Sequence, residues 1–128
     1  MSFDWGNYLN LAKYLVRNIT DPSLTEAGYR SAASRAYYSV FHPIKLLASQ
    51  HGFTLTKKRS VHQELIEFYQ KHNDIVYRKK GIKLQRLWEN RKECDYEDQI
   101  ATKNYQSLTY ESIRYANELL NWSRSKLI

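Results

Sequence analysis

The stretch YRSAASRAYYSVFH, residues 29–42, decides how this sequence folds. Its small residues favour a helix that neighbouring helices can approach closely, while its arginines, tyrosines and histidine exceed what packing alone requires. The helix is predicted to begin at a capping box formed by Ser23 and Glu26, and to end near Gln50, before Gly52. The fold then depends on which elements cover its faces.

Helical periodicity continues along the chain, and no strand pattern competes with it. The other predicted helices cover about 16 residues from Trp5, a segment opening at a Ser60–Gln63 capping box, residues 82–95, and residues 105–125. We expect Gly81 to interrupt the pattern, Pro43 to kink the central helix, and DYEDQIATKN (95–104) to form a loop. The prediction is a single all-α domain, residues 1–128, folded as an up-and-down bundle of four or five helices.

The composition restricts the partners and the compartment. The 128 residues include 20 basic and 13 acidic side chains, a net charge of +7, which favours nucleic acid first and nucleotides or phosphates second. A single cysteine, Cys94, excludes an intramolecular disulfide and favours a reducing compartment, so the cytoplasm is expected. No apolar run reaches the roughly 20 residues that cross a bilayer. The opening MSFDWGNYLN has no basic region and argues against a secretory signal.

The central helix carries a polar row beside its apolar one. Arg30, Ser34, Tyr38 and His42 follow one another at four-residue spacing, with Arg35 three residues before Tyr38. Residues four apart are neighbours on a helix surface, so we expect these groups to point to one side. Such a row either lines a site or forms a solvated face.

The penultimate predicted helix has a matching charged feature. Its apolar stripe, which includes Trp88, runs directly into Arg91 and Asp95. Because an unpaired buried charge is costly, each should find a counter-ion. Two arrangements are open: Arg91 pairs with Asp95, or Asp95 reaches Arg35 or Arg30 of the central helix. An ionic tie between helices without chemistry is the alternative to a functional site.

Three segments in this order resemble the HEPN domain superfamily. They are YRSAASRAYYSVFH, SVHQELIEFY and LQRLWENRKECDY, and the resemblance spans about residues 5–122. It implies a helical bundle, homodimers, and roles in RNA cleavage or nucleotide-linked processes. It also implies toxin–antitoxin or other defence systems, in which members are often found beside a small nucleotidyltransferase.

The resemblance further implies a ribonuclease motif, an arginine followed after four to six residues by a histidine. Arg91 matches the arginine, but residues 92–98 contain no histidine, and Asp95 and Tyr96 stand where one is expected. A carboxylate near pH 7 repels phosphate and has no proton to donate. The candidate catalytic residues are Arg91, Asp95 and Tyr96, with His42 as a substitute histidine; His62 is expected to cap and pack.

Phosphate contacts are also expected outside this motif. The basic runs are Lys57, Lys58 and Arg59, and Arg78, Lys79, Lys80 and Lys83, with solvated surface charge as the alternative. The predicted nucleic-acid- or nucleotide-binding residues are Arg30, Ser34, Arg35, Tyr38, Lys57, Lys58, Arg59, Lys79 and Lys80. The histidines and the lone cysteine lack metal-ligand spacing, so neither a metal nor another cofactor is expected.

The sequence therefore predicts a HEPN-like protein that binds RNA or a nucleotide without robust nuclease activity, linked to nucleic-acid metabolism or defence. The net charge, Arg91 and the absent histidine favour this function. One alternative is a metal-independent ribonuclease that uses Arg91 with Asp95, Tyr96 or His42. The other is a non-catalytic dimeric partner of a nucleotidyltransferase.

Overall fold

The computed structural model describes residues 2–100 and 104–128, and in these ranges the chain forms helices and no strands. The elements are α1 (Gly6–Asn18), a 3₁₀ turn (Pro22–Leu24), α2 (Thr25–Gln50), α3 (Val61–Gln70), α4 (Ile75–Tyr96) and α5 (Tyr105–Lys126). The predicted all-α bundle is confirmed.

The helix α2 is the central element, because α1, α4 and α5 all pack against it. Its Ala32, Ala33, Ala36 and Tyr37 have no exposed surface. Alanine carries only a methyl group, so the neighbouring helices come close to the α2 backbone at these positions. The core further contains Leu9, Ala12, Val40, Ile44, Leu47, Leu65, Tyr69, Leu84, Leu87, Ala116 and Leu119.

The two predicted capping boxes have different outcomes. The box that opens α3 is confirmed, since Ser60 Oγ accepts from Gln63 N–H at 3.2 Å while Gln63 Oε1 accepts from Ser60 N–H at 3.3 Å. The box at Ser23 is wrong: both its N–H and its hydroxyl donate to Asp21 Oδ1, at 2.9 and 2.8 Å. Asp21 caps the 3₁₀ turn that begins at Pro22, and α2 starts afterwards at Thr25 without a side-chain cap.

The expected interruption at Gly81 is also wrong. The helix α4 begins at Ile75, where Asp74 accepts from Val76 N–H at 2.8 Å, and continues through Gly81. A methyl group at Gly81 would lie 2.8 Å from Tyr69 Cβ and 2.9 Å from the nitrogen of the next residue of α3. This glycine permits close contact between α3 and α4. The contact explains why a glycine stands in the interior of a helix.

The helix α2 likewise runs through Pro43 without a break. Beside that turn, the buried hydroxyl of Tyr69 donates to the Ile44 carbonyl at 2.6 Å, so α3 makes a polar contact with the α2 backbone. A buried hydroxyl needs such an acceptor, because leaving it unpaired costs free energy. The contact ties α3 to α2 at the end of the bundle that contains Pro43.

We predict that Gly81→Ala destabilises the protein by about 1–3 kcal/mol, the usual effect of overpacking. Alanine would ordinarily stabilise a helix interior by about 0.5–1 kcal/mol over glycine, so a net loss isolates the steric clash with α3. Urea unfolding followed by circular dichroism measures the difference. Arg86→Ala, at an exposed position of the same helix, is the control, and an unchanged stability of Gly81→Ala would contradict the close packing.

Candidate functional site

Residues of α2 meet the last turns of α4 in antiparallel register. The guanidinium carbon of Arg91 lies 5.1 Å from the centre of the Tyr38 ring. One turn further along α4, Asp95 Oδ2 accepts from Ser34 Oγ at 3.1 Å. Arg30, one turn before Ser34, reaches the carbonyl groups that follow Cys94. Both helices advance by four-residue steps, so each turn of α2 meets one turn of α4.

Arg30 holds the C-terminal end of α4. Its Nη1 donates to the carbonyls of Cys94 and Glu97, at 3.1 and 2.5 Å, and its Nη2 donates to the Asp98 carbonyl at 3.1 Å. Its Nε donates to Glu26 at 2.8 Å. The last carbonyls of a helix have no partner within it, and Arg30 supplies a donor to that of Cys94 and to the carbonyls of Glu97 and Asp98, which follow the helix. Arg30, which the sequence predicts to bind nucleic acid, therefore has most of its N–H groups engaged within the protein.

Arg91 forms an ion pair in its own helix. Its Nε lies 3.0 Å from Asp95 Oδ2, and the two side chains are 14% and 28% exposed. The N–H is not aligned on the carboxylate for a hydrogen bond, so the attraction is ionic. The guanidinium also contacts two rings, with its carbon 5.1 Å from Tyr38 and 5.3 Å from Tyr96. Of the two arrangements that the sequence leaves open, the pair within the helix is observed.

Arg35 and His42 turn towards α1. The guanidinium carbon of Arg35 lies 4.9 Å from the centre of the Tyr8 ring, and the His42 ring stacks on Trp5 at 3.6 Å. A row at four-residue spacing rotates by about 40° per step in a helix of 3.6 residues per turn. His42 is therefore about 120° from Arg30 around the axis, and the expectation that the whole row points to one side is wrong for His42.

The histidine close to Arg91 is His62, in the first turn of α3. Its Nδ1 lies 2.5 Å from the hydroxyl of Tyr37, and its ring centre lies 6.4 Å from that of Tyr38. Burial, and then the charge of Arg91, lower the pKa of His62 below its ordinary value of 6.5. Burial raises the pKa of Tyr37, so this phenol keeps its proton and can donate it to Nδ1 of a neutral imidazole.

The sequence predicts only that His62 caps and packs, because no local pattern connects α3 to Arg91.

We refer to the residues that meet here as the Arg91 cluster, which consists of Ser34, Tyr38, His62, Arg91, Asp95 and Tyr96. The cluster combines a cation, a carboxylate, an imidazole and two phenols. Such groups can bind a phosphate and exchange protons.

The connector that carries the basic run at 57–59 is folded around a buried carboxylate. Glu64 accepts from the Thr56 N–H at 2.8 Å and from its hydroxyl at 2.5 Å. It also accepts from the N–H groups of Lys57, at 3.1 Å, and Arg59, at 3.4 Å. These hydrogen bonds, led by that of the Thr56 hydroxyl, lower the pKa of Glu64. Lys57 adopts a φ of 67°, a conformation uncommon for a non-glycine residue.

The predicted basic residues differ in solvent exposure and in whether they form ion pairs. The side chains of Lys57 and Lys58 are exposed, whereas Arg59 forms an ion pair with Glu67. In the second basic run Lys79 is exposed, whereas Lys80 is largely buried and its Nζ lies 3.7 Å from a Glu118 oxygen. Outside the Arg91 cluster, the exposed members of the predicted binding set are therefore Arg35, Lys57, Lys58, Arg59 and Lys79, and among these only Arg59 forms an ion pair within the described residues.

Cys94 is buried beside Ala33 and Leu108, and burial raises the pKa of its thiol to about 12. The thiol therefore stays protonated near pH 7, and a protonated thiol is a poor nucleophile.

Within residues 2–100 and 104–128, no three His, Cys, Asp or Glu side chains are grouped as metal ligands would be. No helix in the part of the chain that the structure describes is both long and apolar enough to cross a bilayer.

A family model described as HEPN domain matches residues 12–126, nearly the whole chain. The match includes every residue of the Arg91 cluster and confirms the resemblance seen in the sequence. Comparison with curated proteins and with solved structures gave no match.

We predict that Arg91→Gln raises the pKa of His62. Loss of the neighbouring positive charge favours the imidazolium form, while the larger effect of burial remains, so the pKa moves part of the way towards 6.5. A titration of the histidine ring protons by NMR measures it. His42 in the same spectra is an internal reference, and Arg17→Gln is a control for loss of a cation elsewhere. An unchanged His62 pKa would contradict the proximity of Arg91.

We predict that Glu64→Gln lowers the urea midpoint of unfolding and speeds amide exchange at Lys57 and Arg59, because an amide group replaces an acceptor oxygen. The folded pKa of Glu64 is depressed, so its stabilising effect is complete above the unfolded value near 4.5 and is lost as the pH falls through the folded pKa. The difference from wild type should therefore shrink in acid. Glu89→Gln, on the exposed surface of α4, is the control, and equal stability at neutral pH would contradict this role.

Proposed function

The chain belongs to the HEPN domain family, and on that premise we propose that it binds RNA or nucleotide phosphates at the Arg91 cluster without robust nuclease activity. The observation that carries the proposal is the position of Arg91, held between two tyrosine rings by an adjacent carboxylate. A planar guanidinium in a fixed orientation is well suited to binding a phosphate through two donors.

The pairing of Arg91 with Asp95 is compatible with phosphate binding. The carboxylate is 28% exposed, and ion pairs in contact with water are weak, so an incoming phosphate can displace Asp95. Tyr96, whose side chain is largely exposed, offers a ring on which a base can stack. Lys92 lies beside the cluster with its Nζ 3.5 Å from the centre of the Trp88 ring, and adds positive charge. The net charge of +7 attracts polyanions to the protein as a whole.

The same geometry argues against efficient cleavage. Asp95 occupies the segment after Arg91 in which the ribonuclease motif has a histidine, and a carboxylate cannot donate a proton near pH 7. His62 lies near Arg91, but its lowered pKa leaves it neutral there, so it is a poor general acid. Binding without robust catalysis is the function that these features support best.

The second candidate is a metal-independent ribonuclease, which the proximity of His62 to Arg91 favours. In this case the neutral imidazole would take the proton of the 2′-hydroxyl while Arg91 stabilised the phosphate. Tyr37 would position the ring through Nδ1. The predicted homodimer, toxin–antitoxin context and nucleotidyltransferase partner remain predictions from the family resemblance.

We predict that the protein binds a fluorescent oligouridylate of about 12 nucleotides, and that binding weakens steeply between about 50 and 200 mM salt because phosphate contacts release counterions. Arg91→Ala should weaken binding about tenfold through loss of a charge-assisted hydrogen bond. Asp95→Asn should strengthen binding severalfold, because it removes the competing carboxylate. Fluorescence anisotropy measures all three affinities.

Arg17→Ala, which removes a cation from α1, is the matched control and should stay within about twofold of wild type. Absence of binding at the lower salt concentration would overturn the proposal, as would equal affinities of wild type and Arg91→Ala. Incubation of RNA with the protein and EDTA tests the second candidate. Cleavage that is lost in both Arg91→Ala and His62→Ala would establish the ribonuclease instead.

A further inference from the structure

A basic groove of about 470 Å³ lies between α4 and Tyr115 of α5, and none of its residues belongs to the Arg91 cluster. Its cations are Lys79, Lys80, Lys83 and Arg86. We propose that this groove binds an acidic amphipathic helix of a protein partner. The proposal does not rest on RNA binding at the Arg91 cluster.

The groove has positive charge that the protein itself does not neutralise. Lys80 and Lys83 both form ion pairs with Glu118, whose carboxylate is the single acidic group held between them. Lys79 and Arg86 have no acidic partner in the described part of the chain. Four cations and one carboxylate leave a local excess of three positive charges, and the Glu118 contact shows that a carboxylate fits between cations of this groove.

Aliphatic side chains lie among these cations. Val76 is 44% and Ile82 is 62% exposed, and both line the groove. Exposed branched side chains gain free energy when apolar groups cover them, at about 25 cal/mol per Å². The phosphates and sugars of RNA offer no such cover. A protein segment that carries both carboxylates and apolar side chains matches the groove in charge and in hydrophobicity.

The ring of Tyr115 argues in the same direction. Lys83 Nζ lies 5.4 Å and the Arg114 guanidinium carbon 5.3 Å from its centre, so two cations already contact this ring. Binding of single-stranded RNA ordinarily uses open aromatic rings on which bases stack. The groove therefore differs from the Arg91 cluster, where the Tyr96 ring contacts one cation, Arg91, and is largely exposed. This difference separates Lys79 and Lys80 from the nucleic-acid-binding set in which the sequence places them.

The spacing of the groove residues suggests the form of the partner. Lys79, Ile82 and Arg86 stand at positions i, i+3 and i+7 of α4 and form a stripe about 10 Å long. Two turns of a partner helix cover the same length, with apolar residues at the same spacing and acidic residues at the flanks. Such a helix would pair its acids with Lys79 and Arg86 and place its apolar face on Ile82.

The test is an NMR titration of the full chain labelled with ¹⁵N. The probe is a helical peptide of about 16 residues with leucines along one face and glutamates on both flanks. It should shift the amide signals of Ile82, Lys83 and Arg86. A peptide with the same composition in scrambled order should bind at least about fivefold more weakly, because its apolar residues no longer share a face. An oligouridylate should leave these three signals in place.

Two sets of variants separate the charged and apolar contributions. Lys79→Glu combined with Arg86→Glu should weaken peptide binding at least about tenfold, while Arg17→Glu combined with Lys126→Glu makes the same change in net charge away from the groove and should have little effect. Ile82→Ser should weaken binding about fivefold without loss of fold, because Ile82 is mostly exposed.

Three results of the NMR titrations would overturn the proposal. They are the absence of groove shifts at millimolar peptide and low salt, equal binding of the ordered and scrambled peptides, and shifts of the groove signals by oligouridylate. Self-association of the wild-type chain that Ile82→Ser abolishes, measured by analytical ultracentrifugation, would assign the groove to a second copy of this chain and also overturn it. RNA affinity of the Arg91 cluster, measured on Ile82→Ser, reports separately on the proposed function and should equal that of wild type.

Discussion

The close contact of α2 with α4 and α5 at Ala33 is the constraint on which the Arg91 cluster depends. Ala33, Cys94 and Leu108 are buried together, so the three helices are close enough for these side chains, one from each helix, to pack against one another. At this separation short side chains can bridge α2 and α4, as the contact of Ser34 with Asp95 shows. A larger residue at position 33 would move α4 away and separate the cluster. The polar contacts therefore depend on apolar packing directly beside them.

The same helix also separates two sets of polar residues by rotation. Arg30, Ser34 and Tyr38 meet α4, whereas Arg35 meets Tyr8 of α1 and His42 meets Trp5 directly before α1. A helix of 3.6 residues per turn rotates a four-residue row steadily around its axis, so a long row cannot remain on one neighbour. The part of the polar row that meets α4 is therefore limited to about two turns of α2.

The periodicity of the sequence was sufficient to predict a bundle of four or five helices, because apolar stripes at helical spacing are local features, but it missed the first two turns of α4. The pairing of Arg91 with Asp95 was one of two arrangements that the sequence allowed, since the two residues are four apart. His62 was not predictable, because its position depends on the path of the connector before α3, which the buried carboxylate of Glu64 fixes. Gly81 was misinterpreted because its role is a contact with α3, which no local pattern records.

The net charge of +7 counts all cations as equivalent. In the structure the cations differ in the side chains that surround them. Around Arg91 the neighbours are phenol rings, an imidazole and a displaceable carboxylate, which suit a phosphate and a base. Around Lys79 and Arg86 the neighbours are exposed aliphatic side chains, which gain nothing from a phosphate but gain from an apolar surface. The two proposed sites would thus take different ligands of the same sign, because the uncharged groups beside their cations differ.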